Sequence, residues 1–264
     1  MENSKKKNLP LHHGIKISKD LCQKTNVELD RWSRVPYASA IGSIMYAMTY
    51  TRPDVSFALS MVSRHQQNPG EGHWTTVKNI HKYLKNTKDM FLVYGGEEEL
   101  KVTSYCDTSW QIDKDDSRSQ SGWLFLLNDG AVSWKSPKQD TMADFTCESE
   151  YIAACEASKE AIWIKNFIGD LGVVPRVQNP IEILCDNKSA VALTKEPKDH
   201  RKSKHIERKY HFVRSKLLVN PLPEYLVYSN LLSRSYYKNL KELPLMDTLQ
   251  MDDDDVISNL VDLH

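Results

Sequence analysis

Long apolar runs are missing from this sequence. None approaches the roughly 20 residues that a bilayer-spanning helix requires. The lysines of the opening stretch MENSKKKNLPLHHG are not followed by the apolar segment of a secretory signal. We therefore expect a protein that neither spans a membrane nor is secreted, located inside the cell in the cytoplasm or nucleus.

Paired cysteines are also missing. The cysteines are five in number and contain no C-x-x-C pair. The sequence thus signals neither a disulfide framework nor a thiolate zinc site. We expect buried, unpaired thiols at Cys22, Cys106, Cys147, Cys155 and Cys185.

Net charge is absent overall, because 35 Lys and Arg balance 35 Asp and Glu, but the charge is unevenly spread. Between residues 198 and 216, eight Lys or Arg stand against two acidic residues, with Tyr210 and Phe212 interleaved. Such a stretch can hold phosphates by counterion release. The other interpretation is a solvated helix face with no ligand.

The chain length predicts more than one unit. Residues 37–86 carry helical periodicity, and YGGEEELK at 94–101 is typical of a joint. Beyond it the patterns predict strands at 101–107, 121–128, 131–135 and 181–186, and helices at about 146–171, 187–193 and 203–218; a further strand is expected at 223–229. This order favours an α/β fold with a mixed sheet and flanking helices, preceded by a small helical region. We divide the chain into a mainly helical unit (1–95), the α/β domain (101–218) and a divergent tail (219–264).

Two of the predicted strands end in an acidic residue, in SYCD and ILCD. Side chains at the carboxyl ends of neighbouring strands line one crevice, so Asp107 and Asp186 are expected to face each other. On the long helix, steps of three or four from Glu150 reach Ala153, Ala157 and later apolar residues, which turns Glu150 towards the sheet. Glu148 lies about 200° away around the helix and is expected to face water.

Three inward carboxylates repel each other unless cations neutralise them. Oxygen ligands favour Mg²⁺ or Mn²⁺, and such ions in pairs promote phosphodiester cleavage. The alternative for each single acid is a turn or a helix cap, and Asp186 before NKSAVAL is suited to capping.

Several segments resemble, in sequence order, the ribonuclease H domain of copia-type LTR retrotransposon Pol polyproteins. They are YCDTSW, SRSQSGWLFLLNDGAVSWKSPKQDT, CESEYIAACEASKEAIWIKNFIGDLG, IEILCDNKSAVALTKEP and HRKSKHIERKYHFVR. Upstream, RVPYASAIGSIMYAMTYTRPDVSFALSMVSRHQQNPGEGHW and its flanks resemble the end of the preceding reverse transcriptase. The resemblance implies a ribonuclease H-like mixed sheet.

The resemblance places the catalytic, metal-binding acids at Asp107, Glu150 and Asp186. It implies hydrolysis of the RNA strand of an RNA–DNA hybrid with two Mg²⁺ or Mn²⁺ ions, and it suggests the reverse transcriptase core of a related element as a partner. His205 and Glu207 match a family block and are expected either to touch substrate or to pair locally. The candidate nucleic-acid-binding residues are Lys202, Lys204, Arg208 and Lys209.

One family feature is missing. Members usually carry a late helix whose acidic residue completes the metal site, whereas no acid lies between the predicted strand at 223–229 and Glu242. Two hypotheses follow: a ribonuclease H slowed by this loss, and a catalytically inactive relic or nucleic-acid-binding module of the same fold. No polymerase core is recognised, so we do not expect DNA synthesis.

Overall fold

The structure is a computed structural model that describes residues 9–11, 15–95, 101–172, 181–195, 218–221 and 237–239. In these ranges the helices are α1 (Asn26–Ser33), α2 (Tyr37–Tyr50), α3 (Ser56–Ser63), α4 (Glu71–Asn86), α5 (Thr146–Asp170) and α6 (Lys188–Lys195). The strands are β1 (Met90–Leu92), β2 (Val102–Ser109), β3 (Gln120–Leu127), β4 (Gly130–Lys135), β5 (Glu182–Cys185), β6 (Leu218–Pro221) and β7 (Tyr237–Asn239). No helix of the described ranges combines the length and apolarity needed to cross a membrane.

Five strands form one mixed sheet in the order β4-β3-β2-β5-β6. Strands β2, β3 and β4 pair antiparallel, whereas β5 lies parallel to β2 and β6 lies parallel to β5. The β3–β4 turn is tight because Asn128 and Asp129 take positive φ, as a two-residue hairpin turn requires. This confirms the predicted mixed sheet.

The fifth strand corrects the sequence-based prediction for the end of this domain. The predicted basic helix extended to Leu218, but Leu218 begins β6, and its register with β5 pairs Val219 with Ile183. The sheet therefore crosses the boundary drawn at residue 218. Periodicity did not reveal this short strand because it has only four residues and includes Asn220 and Pro221. The strand predicted at 223–229 lies outside the described residues.

The helix α5 covers one face of the sheet. Its inward side is lined by small and branched residues, which lets the helix approach the strands closely. The predicted sheet-facing residues are all buried: Ala153, Ala154, Ala157, Ala161, Ile164 and Ile168. All of these except Ala153 form the main core together with Phe125, Ile183 and Val219 of the strands.

The N-terminal helices form a second core centred on Ile41, Ile44, Val62 and Ile80. Pro53 begins a short helical turn, where Arg52 and Asp54 form a buried ion pair at 2.7 Å. Helix α1 was not predicted, although TNVE carries a capping-box pattern: Glu28 N–H donates to Thr25 Oγ1 at 3.3 Å, and Thr25 N–H donates to Glu28 Oε2 at 3.1 Å.

The helical part packs directly against the sheet rather than standing apart from it. The Trp134 indole Nε1 of β4 donates to the Met48 carbonyl of α2 at 2.9 Å. Arg64, at the end of α3, binds Asp113 at 2.7 Å and also donates to Gln120. The sheet face opposite α5 carries Leu124 and Leu126, against which Met90 and Leu92 of β1 pack.

Candidate active site

Asp107 and Asp186 lie on neighbouring parallel strands. The register pairs Cys106 with Cys185, so each acidic residue stands one position beyond this pair. Asp186 directly follows β5, as predicted, but it is exposed, whereas all three carboxylates were expected to point inward. Asp107 is half-buried and lies inside β2, two residues before its end at Ser109, which corrects the prediction that it ends the strand.

The capping alternative for Asp186 does not hold. The side chain that caps α6 belongs to its neighbour, because Asn187 Oδ1 accepts a hydrogen bond from the Ala190 N–H at 2.9 Å. The Asp186 carboxylate therefore does not satisfy this helix terminus.

Glu150 is the fifth residue of α5 and is only 7% exposed. Hydrogen bonds tie this first part of the helix to the sheet. The Ser149 carbonyl accepts from Thr108 Oγ1 of β2 at 3.3 Å and from Gln139 Nε2 at 2.9 Å. Glu148, which was expected to face water, is half-buried, and its Oε2 accepts the Asp144 N–H at 2.9 Å.

Neighbouring charges act on two of these carboxyl groups, Asp107 and Glu150. Burial, followed by the charge of Asp107, raises the pKa of Glu150 to about 9, and Cys185 and Asp186 add to this effect. Burial and the charge of Asp186 raise the pKa of Asp107. No salt bridge between described residues reaches any of the three. A negative charge on Glu150 beside Asp107 is therefore unfavourable unless a cation is added.

The donor atoms suit a metal ion. Glu150 Oε2 is buried and has no hydrogen-bond partner among the described residues. One donor atom each from Glu150, Cys185 and Asp186 lie within 4.8 Å of one another. Asp107 is outside this tight group but close enough for its charge to act on Glu150. Carboxylate oxygens are the ligands that Mg²⁺ and Mn²⁺ prefer.

Cys22, His65 and His73 form a second cluster of donor types, in which the ring nitrogens of His73 are already hydrogen-bonded. His73 Nδ1 accepts the Gly70 N–H at 3.0 Å, and Nε2 lies 3.0 Å from the Ser18 carbonyl, to which it donates. The His65 and His73 rings stack at 4.1 Å between centroids. Because both nitrogens of His73 are used, we interpret this cluster as structural.

Some functional candidates were missed or lie elsewhere. Gln139 is fully buried and links Ser149 to Ser121 Oγ at 2.9 Å; its only signal in the sequence was its place in the family segment SPKQDT. The predicted accessory and nucleic-acid-binding residues lie outside the described residues: Lys202, Lys204, His205, Glu207, Arg208 and Lys209.

The thiols follow the prediction only in part. Cys106, Cys155 and Cys185 are buried, whereas Cys22 and Cys147 are only half-buried, and no disulfide joins any of the five within the described residues. Cys106 and Cys185 pair across β2 and β5, immediately before the two aspartates.

A five-stranded mixed sheet of this order, covered by a long helix that begins beside the central strand, defines a ribonuclease H-like fold. No protein-family profile matches the chain. The chain belongs to the retrovirus-related Pol polyproteins of copia-type transposons.

Among its relatives, the Pol polyprotein from transposon TNT 1-94 of Nicotiana tabacum is 42% identical over 214 residues, which cover 81% of this chain and 16% of the polyprotein. Secreted RxLR effector protein 161 of Plasmopara viticola is 42% identical over 130 residues, covering 49% of this chain and 92% of that protein. The chain thus spans only a small part of the first of these relatives and most of the second.

A solved structure, RNase H1 from Halobacterium salinarum NRC-1, is 17% identical, covers 52% of this chain and 94% of its own, and gives a TM-score of 0.34. Because this score is low, the fold assignment depends on the strand order given above.

Proposed function

We propose that this chain is a metal-dependent ribonuclease H that hydrolyses the RNA strand of an RNA–DNA hybrid. Asp107, Glu150 and Asp186 would together hold two divalent ions, either Mg²⁺ or Mn²⁺. The observation that carries the proposal is the buried Oε2 of Glu150, which has no partner among the described residues and stands beside two further acids. Divalent cations bound there would activate water and stabilise the leaving oxygen of the phosphodiester.

The residues differ in what they contribute. Asp107 is fixed in the central strand, where the Thr108 N–H donates to its Oδ1 at 2.7 Å. Glu150 is fixed by the hydrogen-bonded first turns of α5 and is protonated at neutral pH until a cation replaces the proton. Asp186 is exposed and stands where a phosphate backbone can approach.

Hybrid selectivity would come from shape and from the ribose 2′-hydroxyl rather than from base contacts. The basic residues Lys202, Lys204, Arg208 and Lys209 are proposed to hold phosphates, with His205 and Glu207 as accessory residues. A reverse transcriptase core of a related element is the proposed protein partner, located with it inside the cell.

The deciding experiment is cleavage of an end-labelled RNA–DNA hybrid with Mg²⁺ or Mn²⁺. We expect Asp186→Asn to lower the rate by about 100-fold or more, because a metal ligand is lost. Glu148→Gln is the matched control, since it removes a carboxylate from the same helix turn that is not one of the three, and it should cut like wild type. Equal rates for wild type and Asp186→Asn would overturn the enzyme proposal.

The missing late acidic residue favours a second candidate, a catalytically inactive nucleic-acid-binding module of the same fold. Hybrid binding measured against salt concentration tests it. Changing Lys202, Lys204 and Lys209 to Ala should weaken binding and flatten its salt dependence. An unchanged affinity and slope would exclude the basic stretch as the contact.

A further inference from the structure

A sulfur atom lies directly behind the candidate active site. Cys185 is the last residue of β5, is fully buried and immediately precedes Asp186. Its Sγ, one Glu150 oxygen and one Asp186 oxygen all lie within 4.8 Å of one another. We propose that Glu150, Cys185 and Asp186 form a binding site for a thiophilic divalent cation, such as Cd²⁺ or Zn²⁺.

The distances are compatible with such a site. Zn²⁺ binds thiolate at about 2.3 Å and carboxylate oxygen at about 2.0–2.2 Å, so ligand atoms of a tetrahedral site stand about 3.5 Å apart. From 4.8 Å, a closure of little more than an ångström at the widest separation is needed. The exposed Asp186 carboxylate can move by this amount because it lies beyond the end of the strand.

A second observation points to a ligand independently of the thiol. Glu150 is 93% buried, and its Oε2 has no hydrogen-bond partner among the described residues. A buried oxygen in this condition is costly, and a cation between Oε2 and the Cys185 sulfur would satisfy it. Cys106, paired with Cys185 across the strands, lies within hydrogen-bond reach of that sulfur and can orient it from behind.

The donor chemistry separates this site from the oxygen-only set. A thiolate selects soft or borderline ions over Mg²⁺, and the thiol proton is released to solvent when the ion binds. Asp107 is not a ligand of the site that includes Cys185, whereas Glu150 and Asp186 belong to this site and to the set of three carboxylates. The two kinds of ion therefore compete for the same two carboxylates.

The test is a titration of the metal-free full-length protein with Cd²⁺, followed by the ultraviolet absorption of thiolate-to-cadmium charge transfer. We expect one ion to bind per chain of wild type. In Cys185→Ser the absorption band should vanish, or the affinity for Cd²⁺ should fall at least about tenfold. Glu150→Gln keeps the thiol but should also weaken binding. The matched control is Cys155→Ser, which changes a buried thiol of the same core that is not in the donor set.

An unchanged band in Cys185→Ser would overturn the proposal and leave Cys185 as a packing thiol. A band that disappears in Cys22→Ser instead would assign the ion to the Cys22, His65 and His73 cluster and would also overturn it. Thermal unfolding of each variant verifies that it is folded.

One consequence rests on the proposed function: Cd²⁺ should inhibit Mg²⁺-dependent hybrid cleavage by wild type. The titration itself uses no substrate, so the two proposals can fail separately. If the protein binds cadmium but shows no Mg²⁺-dependent cleavage in the absence of cadmium, the proposed function is refuted and the cadmium site stands.

Discussion

Asp113 and Glu150 are carboxylic acids with almost equal exposure, 6% and 7%, but their pKa values move in opposite directions. Burial alone raises the pKa of Asp113, yet the hydrogen bonds from Lys138 and Asp115 and the charges of Lys138 and Arg64 bring it down to about 2. Burial raises the pKa of Glu150 to about 9, and its acidic neighbours push it the same way. Among the described residues, Asp113 has two cationic partners, whereas no salt bridge reaches Glu150.

The difference separates a structural acid from a candidate functional one. Asp113, in the β2–β3 connection, joins two parts of the protein, because Arg64 at the end of α3 and Lys138 of the segment after β4 both bind it at 2.7 Å. Among the described residues, Glu150 Oε2 has no hydrogen-bond partner and no salt bridge reaches the side chain. A buried acid without a cationic partner is favoured in its protonated form or with a cation from solution.

The largest expected effect comes from breaking the paired side. Asp113→Ala leaves Arg64 without its carboxylate and Lys138 with only the more exposed Asp116, and we expect it to lower the free energy of unfolding by about 2–3 kcal/mol. Urea unfolding measures this change. Asp116→Asn is the matched control: Asp116 also binds Lys138, but its side chain is 38% exposed, so the loss should stay below about 1 kcal/mol. Equal losses would mean that burial does not matter to this network.

A smaller change in the free energy of unfolding, of opposite sign, is expected when Glu150 is replaced. In metal-free protein at pH 8, Glu150→Gln replaces an uncompensated acid by a neutral isostere and should raise the free energy of unfolding by about 1–2 kcal/mol. Mg²⁺ should raise the melting temperature of wild type but not of this variant. A destabilised Glu150→Gln protein would contradict the interpretation that the carboxylate is uncompensated.

The smallest expected effect is the pH dependence of stability. One proton can change the free energy of unfolding by at most roughly 1.4 kcal/mol per pH unit, and we expect a fraction of that slope. The pKa of Glu150 is about 9 when folded against an ordinary 4.5, so the folded state holds the extra proton. Its contribution is full below pH 4.5 and is lost as the pH rises to about 9. The sign for Asp113 is opposite, with stability lost as the pH falls from 3.8 to about 2.

Urea unfolding of metal-free protein across this pH range verifies both signs. The alkaline fall should disappear in Glu150→Gln and remain in Asp116→Asn. An alkaline fall that persists in Glu150→Gln would have to arise from other groups.

The sequence predicted the elements that carry the site, because local periodicity determines them. Helical phase located Glu150, and the two strand patterns located Asp107 and Asp186. Phase could not show that β2 continues two residues past Asp107, because that extension depends on pairing of Thr108 with Ser121 of β3.

Contacts distant in sequence were not predictable from periodicity. Arg64 and Asp113 are 49 residues apart, and nothing in either segment signals the other. The same reason explains why the helical part was expected to stand as a separate unit, and why Gln139 was not recognised as the residue that holds the start of α5. Only the resemblance to a family contained information of that kind.

The hydrogen bond from Trp134 to Met48 bears on how the chain can be divided in the laboratory. A recombinant fragment that starts at residue 101 would keep all five strands but lose the layer that shields Leu124 and Leu126. The apolar sheet face exposed in this fragment would promote its aggregation. Expression from residue 15 onward retains that shield and is the sounder choice for biochemistry.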